Sequence, residues 1–283
     1  MAMNELNQEF FRNQRFLFVF DLDGTLLNND KKISPMTKKV IKELVGLGNI
    51  VTMASGRPRR AIQPYFDELG LKGPFIGYNG ALIVDPHDPS FPGRKKMIPK
   101  GFVYDFFKRF PEEEFANFMI EDDHSQYYLR KNDDYLFFFS PEGIEHKIGS
   151  VFSNVHDDVI SMVIQSHTPE HNHEIEDYIE SHFDDLSIRF WSDAPCFGEI
   201  FFYSVNKSTS IDYVSRLYHI DREHIICFGD AMNDIEMIRK AGISFAMKNG
   251  ADGLKREATY VTEYDNDSEG IYHALVSLFG RKD

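Results

Sequence analysis

The chain has 283 residues, 42% of them hydrophobic, with 31 basic against 45 acidic side chains and a formal net charge of −14. Such a length buries a sizeable core in one large or two smaller domains. The acidic balance argues against nonspecific nucleic-acid binding or an anionic membrane surface. An anionic small substrate stays open, because a bound divalent cation reverses the sign of a local site. Two cysteines, Cys196 and Cys227, are too few and too far apart for a disulfide framework or a zinc site. The N-terminal stretch carries no apolar segment of a secretory signal, and no run reaches the roughly 18 apolar residues of a membrane helix. A soluble cytoplasmic protein is expected.

Taken in order, the apolar run Phe16–Phe20 reads as a strand buried on both faces, and it ends in Asp21-Leu22-Asp23-Gly24-Thr25. Ser34-Pro35 supplies an N-cap and a first-turn proline for an amphipathic helix carrying Val40, Ile41, Leu44 and Val45, which Gly48 terminates. Ile50–Ala54 is a second strand and ends in Ser55-Gly56-Arg57. A helix over Arg59–Leu69 follows, then a third strand over Pro74–Tyr78 that ends in Asn79-Gly80. Strand-then-helix units with polar residues at each strand end predict an α/β fold with a doubly wound (Rossmann-like) parallel sheet.

The pattern changes after about Ile83. The stretch Asp85–Pro99, rich in Pro, Gly and charge, reads as a turn or linker. Beyond it Phe115–Ile120, Gln126–Arg130, Val159–Gln165 and Leu186–Trp191 read as strands; Phe102–Phe110, Pro141–Ser150 and Glu170–Phe183 read as helices. None of these strands ends in a clustered acidic turn. We therefore expect an inserted α+β domain over 84–196, between the parts of a discontinuous core at 1–83 and 197–283. Gly198–Tyr203 is read as a strand leading into Asn206-Lys207-Ser208 and a helix with Ile211, Val214 and Tyr218. The first pattern then returns: the strand Ile225–Phe228 ends in Gly229-Asp230-Ala231-Met232-Asn233-Asp234. Ile243–Met247 and Tyr260–Thr262 are short strands, and Ser268 is expected to cap a last helix with Ile271, Leu275 and Leu278 inward.

Asp21 and Asp23 follow one buried strand, Asp230 and Asp234 another. A parallel sheet brings both strand ends to one edge, where ligands of open α/β sheets bind. Four carboxylates gathered there repel one another unless a cation is present. Oxygen-only donors suit a hard ion, and Mg2+ is the usual one when phosphate is the substrate. A lone Asp-x-Asp is mostly an ordinary turn; recurrence of an acidic cluster at a second strand end argues for a site. By contrast, His171-Asn172-His173 and Glu121-Asp122-Asp123-His124 have only superficial metal spacing and read as solvated loops. Trp191 and the Tyr135–Phe139 run read as core or domain surface.

Four stretches, Asp21-Leu22-Asp23-Gly24-Thr25, Ser55-Gly56-Arg57, Lys207 and Gly229-Asp230-Ala231-Met232-Asn233-Asp234, resemble in order and spacing the haloacid dehalogenase superfamily of phosphohydrolases, specifically its Cof-type branch. The tail stretches Met247-Lys248-Asn249-Gly250 and Asp267-Ser268-Glu269-Gly270 are similar to that branch too, and the long insert matches the family's α/β cap. The resemblance implies a Mg2+-dependent phosphatase that hydrolyses small phosphorylated metabolites, such as sugar phosphates or phosphorylated cofactors, through an aspartyl-phosphate. It implies Asp21 as nucleophile and Asp23 as acid–base. The carboxylates of Asp21 and Asp230 and the carbonyl of Asp23 are implied to hold the metal, with Asp234 supporting the metal's surroundings and Lys207. Ser55, the backbone N–H groups of Leu22 and Gly56, and the Lys207 ammonium are implied donors to the phosphoryl oxygens. Asn233 and Asn79 would reach the phosphate or nearby substrate oxygens.

Other roles stay open at some of these positions. Ser55 suits a helix cap as well as a phosphate contact, and Arg57 suits a salt bridge as well as a substrate contact. Ser55 stands where many members carry Thr, and Ser208 where Gly is common. A phosphotransferase or phosphomutase on the same scaffold is the alternative enzyme. A non-catalytic phosphate-sensing protein is the other alternative, against which retention of Asp21, Asp23 and Lys207 argues. The expected partner is a small-molecule phosphate ester, with no nucleic acid and no membrane; oligomeric state stays open. A cap that moves to admit substrate would hinge near Leu82–Asp85 and Cys196–Gly198.

Overall fold

The computed structural model describes residues 6–11, 14–133, 144–191 and 194–280. Two compact units divide it, Met1–Arg94 with Asn206–Asp283, and Lys95–Val205.

The first unit is built on parallel strands in the spatial order Tyr260–Val261, Ile243–Ala246, Ile225–Gly229, Leu17–Phe20, Ile50–Met53. Every residue of Leu17–Phe20 is buried, because the strand is paired along both edges and covered by an apolar layer on each face. Leu17 lies opposite Ile225 and Ile50, and Phe20 opposite Phe228 and Met53. Alternation along the strand then sorts the side chains. Phe18 and Phe20 join one apolar layer with residues of the helices Pro35–Gly46, Arg59–Leu69 and Gly270–Phe279. Leu17 and Val19 join the other, with residues of Lys207–Leu217 and Ile235–Lys240. This is the doubly wound core of the α/β fold. Its chain leaves Leu17–Phe20 for Ile50–Met53 on one side and returns as Ile225–Gly229 on the other, so the carboxyl end of Leu17–Phe20 is a switch point.

Local chemistry agrees with this layout. The Ser34 side chain accepts the Thr37 N–H at 3.3 Å, Pro35 begins the helix, and Val40, Ile41 and Leu44 are buried. Each such side chain contributes roughly 1.5–3 kcal/mol by leaving water. Two expectations need correction. Phe75–Gly77 continues the parallel sheet only through a parallel bridge between Ala54 and Ile76, and its ladder is an antiparallel one with Leu82–Val84. The short intervening turn closes a hairpin before a longer connection can form. The last helix starts at Gly270 and is entered through Glu269, in the left-handed region at φ 61°, not capped by Ser268.

The second unit is an α+β layer. Its sheet has the order Leu186–Phe190, Phe197–Phe202, Ser161–Ser166, Phe115–Glu121, Ser125–Tyr128, Glu145–Ile148. Neighbours are antiparallel except the last pair, which is parallel. One face, with Phe118, Ile120, Ile164 and Ile188, packs with Phe102, Phe106, Ile175 and Ile179 of the helices Lys100–Arg109 and Asn172–His182.

Phe197–Phe202 therefore belongs here, with Gly198 opposite Phe190 and Ile164, and not in the core where the sequence placed it. The units part at Arg94 and Val205, not at 83 and 196. The expected hinge segments instead overlap the strands Leu82–Val84 and Phe197–Phe202. Glu145–Ile148 is a strand where a helix was expected over Pro141–Ser150; residues 141–143 and the Tyr135–Phe139 run lie outside the described residues. Among the described residues no helix is long and apolar enough to cross a membrane.

Candidate active site

Asp21 continues the Leu17–Phe20 strand, its N–H donating to the Phe228 carbonyl at 3.0 Å. The chain then turns tightly: the N–H of Leu26 donates to the Asp21 carbonyl at 3.2 Å and that of Leu27 to the Leu22 carbonyl at 2.9 Å. Gly24 sits in this turn at φ +76°, and a Cβ there would lie 2.4 Å from Asp230 Oδ2. Only glycine gives both the left-handed backbone and the space for that carboxylate. The Thr25 hydroxyl donates to Asp230 Oδ1 at 2.8 Å. Gly229 plays the matching part at the neighbouring strand end, where a Cβ would meet the Asp234 side chain at 2.7 Å. Asp234, with no exposed surface, accepts the N–H groups of Asp230 and Ala231 on Oδ2 at 3.0 and 3.1 Å.

Lys207 arrives from the other end of the chain. The Asn206 side chain accepts the Thr209 N–H at 2.9 Å and starts the helix Lys207–Leu217 there. The Lys207 side chain, 1% exposed, donates to Asp21 Oδ1 and to Asp234 Oδ1, both at 2.6 Å. Burial favours the neutral amine, but Asp21 and Asp234 outweigh it and hold the ammonium well above its ordinary range. Burial, with Asp234 and Asp230 adding repulsion, holds the Asp21 carboxyl well above the usual carboxylate range despite Lys207. Burial likewise pushes Asp230 up to about 6, against the Thr25 hydrogen bond.

The carboxylates of Asp21, Asp230 and Asp234 each bring an oxygen to within 4.8 Å of the others. Lys207 bonds two of these three carboxylates, so the fully ionised cluster is two positive charges short. An all-oxygen donor set short of two positive charges fits a hard divalent cation. Both Asp234 oxygens already accept protein donors, which leaves Asp21 and Asp230 as the carboxylates best suited to such an ion.

The other sequence-selected residues gather around Asp23 and Asn79. Ser55 is buried, its N–H donating to the Ile76 carbonyl at 2.9 Å. Its hydroxyl accepts the Arg57 N–H at 3.2 Å, while the following helix is capped by Pro58 without a side-chain bond. Arg57 forms the salt bridge: Nε donates to Asp23 Oδ2 and Nη2 to Asp23 Oδ1, each at 2.6 Å. Burial raises the Asp23 carboxyl, but Arg57 and Lys31 overcome it and hold the group below the usual range. Asn233 Nδ2 donates to Asn79 Oδ1 at 3.1 Å, and a Cβ at Gly56 would lie 3.2 Å from that same oxygen. Asn79, Asn233 and Gly56 are thus brought together. The Leu22 side chain joins the apolar layer, which leaves only its backbone for a polar role.

Sequence reading missed several members of this neighbourhood. Lys31 donates to Asp23 Oδ1 at 2.7 Å. Asn249 Nδ2 donates to the Gly24 carbonyl at 2.8 Å, and Asn266 Nδ2 to the Leu27 carbonyl at 2.9 Å, tying the turn from its far side. Thr25 and Asn249 stood inside stretches already singled out, and their side chains were the available signal; Lys31 and Asn266 lie in loops that carry none.

The profile of the haloacid dehalogenase-like hydrolases matches residues 18–275. The chain belongs to that family. A Bacillus subtilis (strain 168) relative, 5-amino-6-(5-phospho-D-ribitylamino)uracil phosphatase YitU, is 30% identical over 265 residues, covering 93% of this chain and 97% of its own. Among solved structures, TM0651 from Thermotoga maritima superposes with a TM-score of 0.79 at 23% identity, over 95% of this chain and 99% of its own. The sugar phosphatase BT4131 gives 0.72 at 23% identity, over 93% and 98%. This haloacid dehalogenase-like hydrolase is a phosphoric monoester hydrolase with the doubly wound core and inserted α+β domain described above.

Proposed function

We propose that this hydrolase is a Mg2+-dependent phosphatase of small phosphorylated metabolites that works through an aspartyl-phosphate. Asp21 attacks phosphorus through one carboxylate oxygen while Lys207 holds the other. Arg57 and Lys31 keep the resting Asp23 ionised, so it takes up a proton as it leaves these donors and passes that proton to the leaving-group oxygen; it then takes one from the water that cleaves the aspartyl-phosphate, which restores Asp21 and releases phosphate. The Ser55 hydroxyl, the N–H groups of Leu22 and Gly56, and the Lys207 ammonium receive the phosphoryl oxygens. Asn79 and Asn233 reach outward toward the ester. Asp21, Asp230 and the Asp23 carbonyl would hold Mg2+, which when bound offsets the phosphate charge that otherwise repels the Asp21 carboxylate. In a loose transition state such positioning and neutralisation are most of the catalysis.

The observation that supports this reading most is the Lys207 ammonium shared at 2.6 Å by Asp21 and Asp234, with Asp230 in the same cluster. A resting structural ion pair needs one carboxylate, not three. The Bacillus subtilis relative, named as a phosphatase of a phosphoribitylamino uracil, supports a small metabolite as substrate, and a cytoplasmic location belongs to the same proposal. Phosphate release from p-nitrophenyl phosphate with Mg2+ tests it. We expect Asp21→Asn to lower kcat by about four orders of magnitude; full turnover by that variant overturns the nucleophile.

A further inference from the structure

We propose that Lys31 and Arg57 form a second anion site beside the phosphate, selecting esters whose alcohol carries its own carboxylate or second phosphate. This inference rests on the phosphatase reading and narrows its substrate class.

Lys31 lies in the turn that follows the Asp21–Leu27 loop. Its N–H donates to the Asn28 carbonyl at 2.9 Å, and the Asn28 N–H donates to the Lys32 carbonyl at 3.0 Å. The turn puts Lys31 at φ 58°, the left-handed region that a lysine rarely occupies. Tyr65 anchors this conformation, its hydroxyl donating to the Lys31 carbonyl at 3.0 Å. The Tyr65 ring also lies under the Arg57 guanidinium, 5.8 Å from its centroid. One tyrosine thus supports both cations, and both converge on Asp23 with three hydrogen bonds of 2.6–2.7 Å. In a chain of net charge −14, two cations built onto one carboxylate by a strained turn are a directed arrangement.

That carboxylate has another task. When Asp23 turns to the leaving-group oxygen it gives up these donors and leaves Lys31 and Arg57 without a counter-charge. An anion on the leaving group takes its place. The exchange is cheap on the Lys31 side, where the lysine and aspartate side chains are 57% and 42% exposed, since such pairs are weakly held in water. Arg57, 25% exposed, offers a planar fork that fits a carboxylate or a phosphate equally well.

The test compares near-isosteric pairs with the full chain and Mg2+: glycerol 3-phosphate against 3-phosphoglycerate, and fructose 6-phosphate against fructose 1,6-bisphosphate. We expect kcat/KM for the member with the extra anion to exceed its partner roughly tenfold in at least one pair. The pair that discriminates tells carboxylate from second phosphate. Lys31→Gln should collapse that ratio toward one, mainly through KM, and Lys31→Arg should restore it. Wild-type ratios at or below one in both pairs, or a ratio that survives Lys31→Gln, overturn the anion site while leaving the phosphatase intact. Absence of release from these four esters and from p-nitrophenyl phosphate overturns both.

Discussion

Buried polar groups occur in both units of the molecule, but they are assembled in opposite ways. In the first unit the partners are far apart along the chain: Lys207 and Asp21 are separated by 186 positions, Thr25 and Asp230 by 205, Asn233 and Asn79 by 154. In the second, the strands Phe115–Glu121 and Ser125–Tyr128 make a hairpin whose partners are neighbours. Asp122 Oδ1 accepts the N–H groups of His124 and Ser125 at 2.7 and 2.8 Å, its other oxygen accepts the Tyr127 hydroxyl, and Gln126 donates to Glu121 at 2.5 Å. Within the hairpin, the Asp122 carboxylate is met by donors from the next few residues, a hydroxyl and two backbone N–H groups and not a cation. The first-unit network exists only once the parallel sheet has formed, and it gathers like charges that the fold must hold together. Local networks of this kind support a shape, whereas the long-range one concentrates reactive charge at a sheet edge.

The contrast is broken most directly by Lys207→Met. That change leaves Asp21 and Asp234 buried without their shared ammonium, and we expect the unfolding free energy in urea to fall by about 3–5 kcal/mol. If the loss were no larger than for the hairpin variant below, the two networks would not differ in kind. Thr25→Val sharpens the comparison at the cluster itself. Asp230 keeps its place against Gly24 but loses the hydroxyl on Oδ1, and the Mg2+ concentration for half-maximal activity should rise about tenfold.

The smallest effect is expected in the hairpin. Burial pushes the Asp122 carboxyl up, but the Tyr127 hydroxyl and the two backbone N–H groups prevail and hold it below its ordinary value. A carboxyl lowered in the folded state adds stability above its unfolded value, and that stability is lost as pH falls through the lower folded value. Asp122→Asn should therefore cost about 1 kcal/mol near neutral pH. The difference from wild type should close below about pH 4. A difference that persisted at lower pH would show that shape, and not charge, is what Asp122 contributes.

Much of the first unit was legible before any coordinates. The continuous apolar run ending in Asp21 and the similar run ending at Gly229 identify buried parallel strands, because only a strand covered on both faces tolerates such a pattern. The Ser34-Pro35 start was legible for the same local reason. Gly198–Tyr203 misled because its flanks resembled those of a core strand, although Glu199 within it already marked one face as less buried. That alternation belongs to an antiparallel sheet with one covered face, which is where the strand lies. The hairpin Phe75–Gly77 with Leu82–Val84 was missed because a short apolar stretch does not state the direction of its partner.

The sequence alone determined which polar groups stand at the strand ends: two carboxylates after one strand, two after another, a lysine at a helix start and a serine–glycine turn. These follow from local rules of strand ends, turns and caps, which act over a few residues. Only the tertiary structure decided how they are shared. That Lys207 bridges Asp21 and Asp234, that Thr25 holds Asp230, and that Asp23 is held by Arg57 and Lys31 depend on groups up to 205 positions apart meeting at one edge. Charge interactions act through space and take no account of chain order, so their pairing is settled by the sheet that brings the strand ends together.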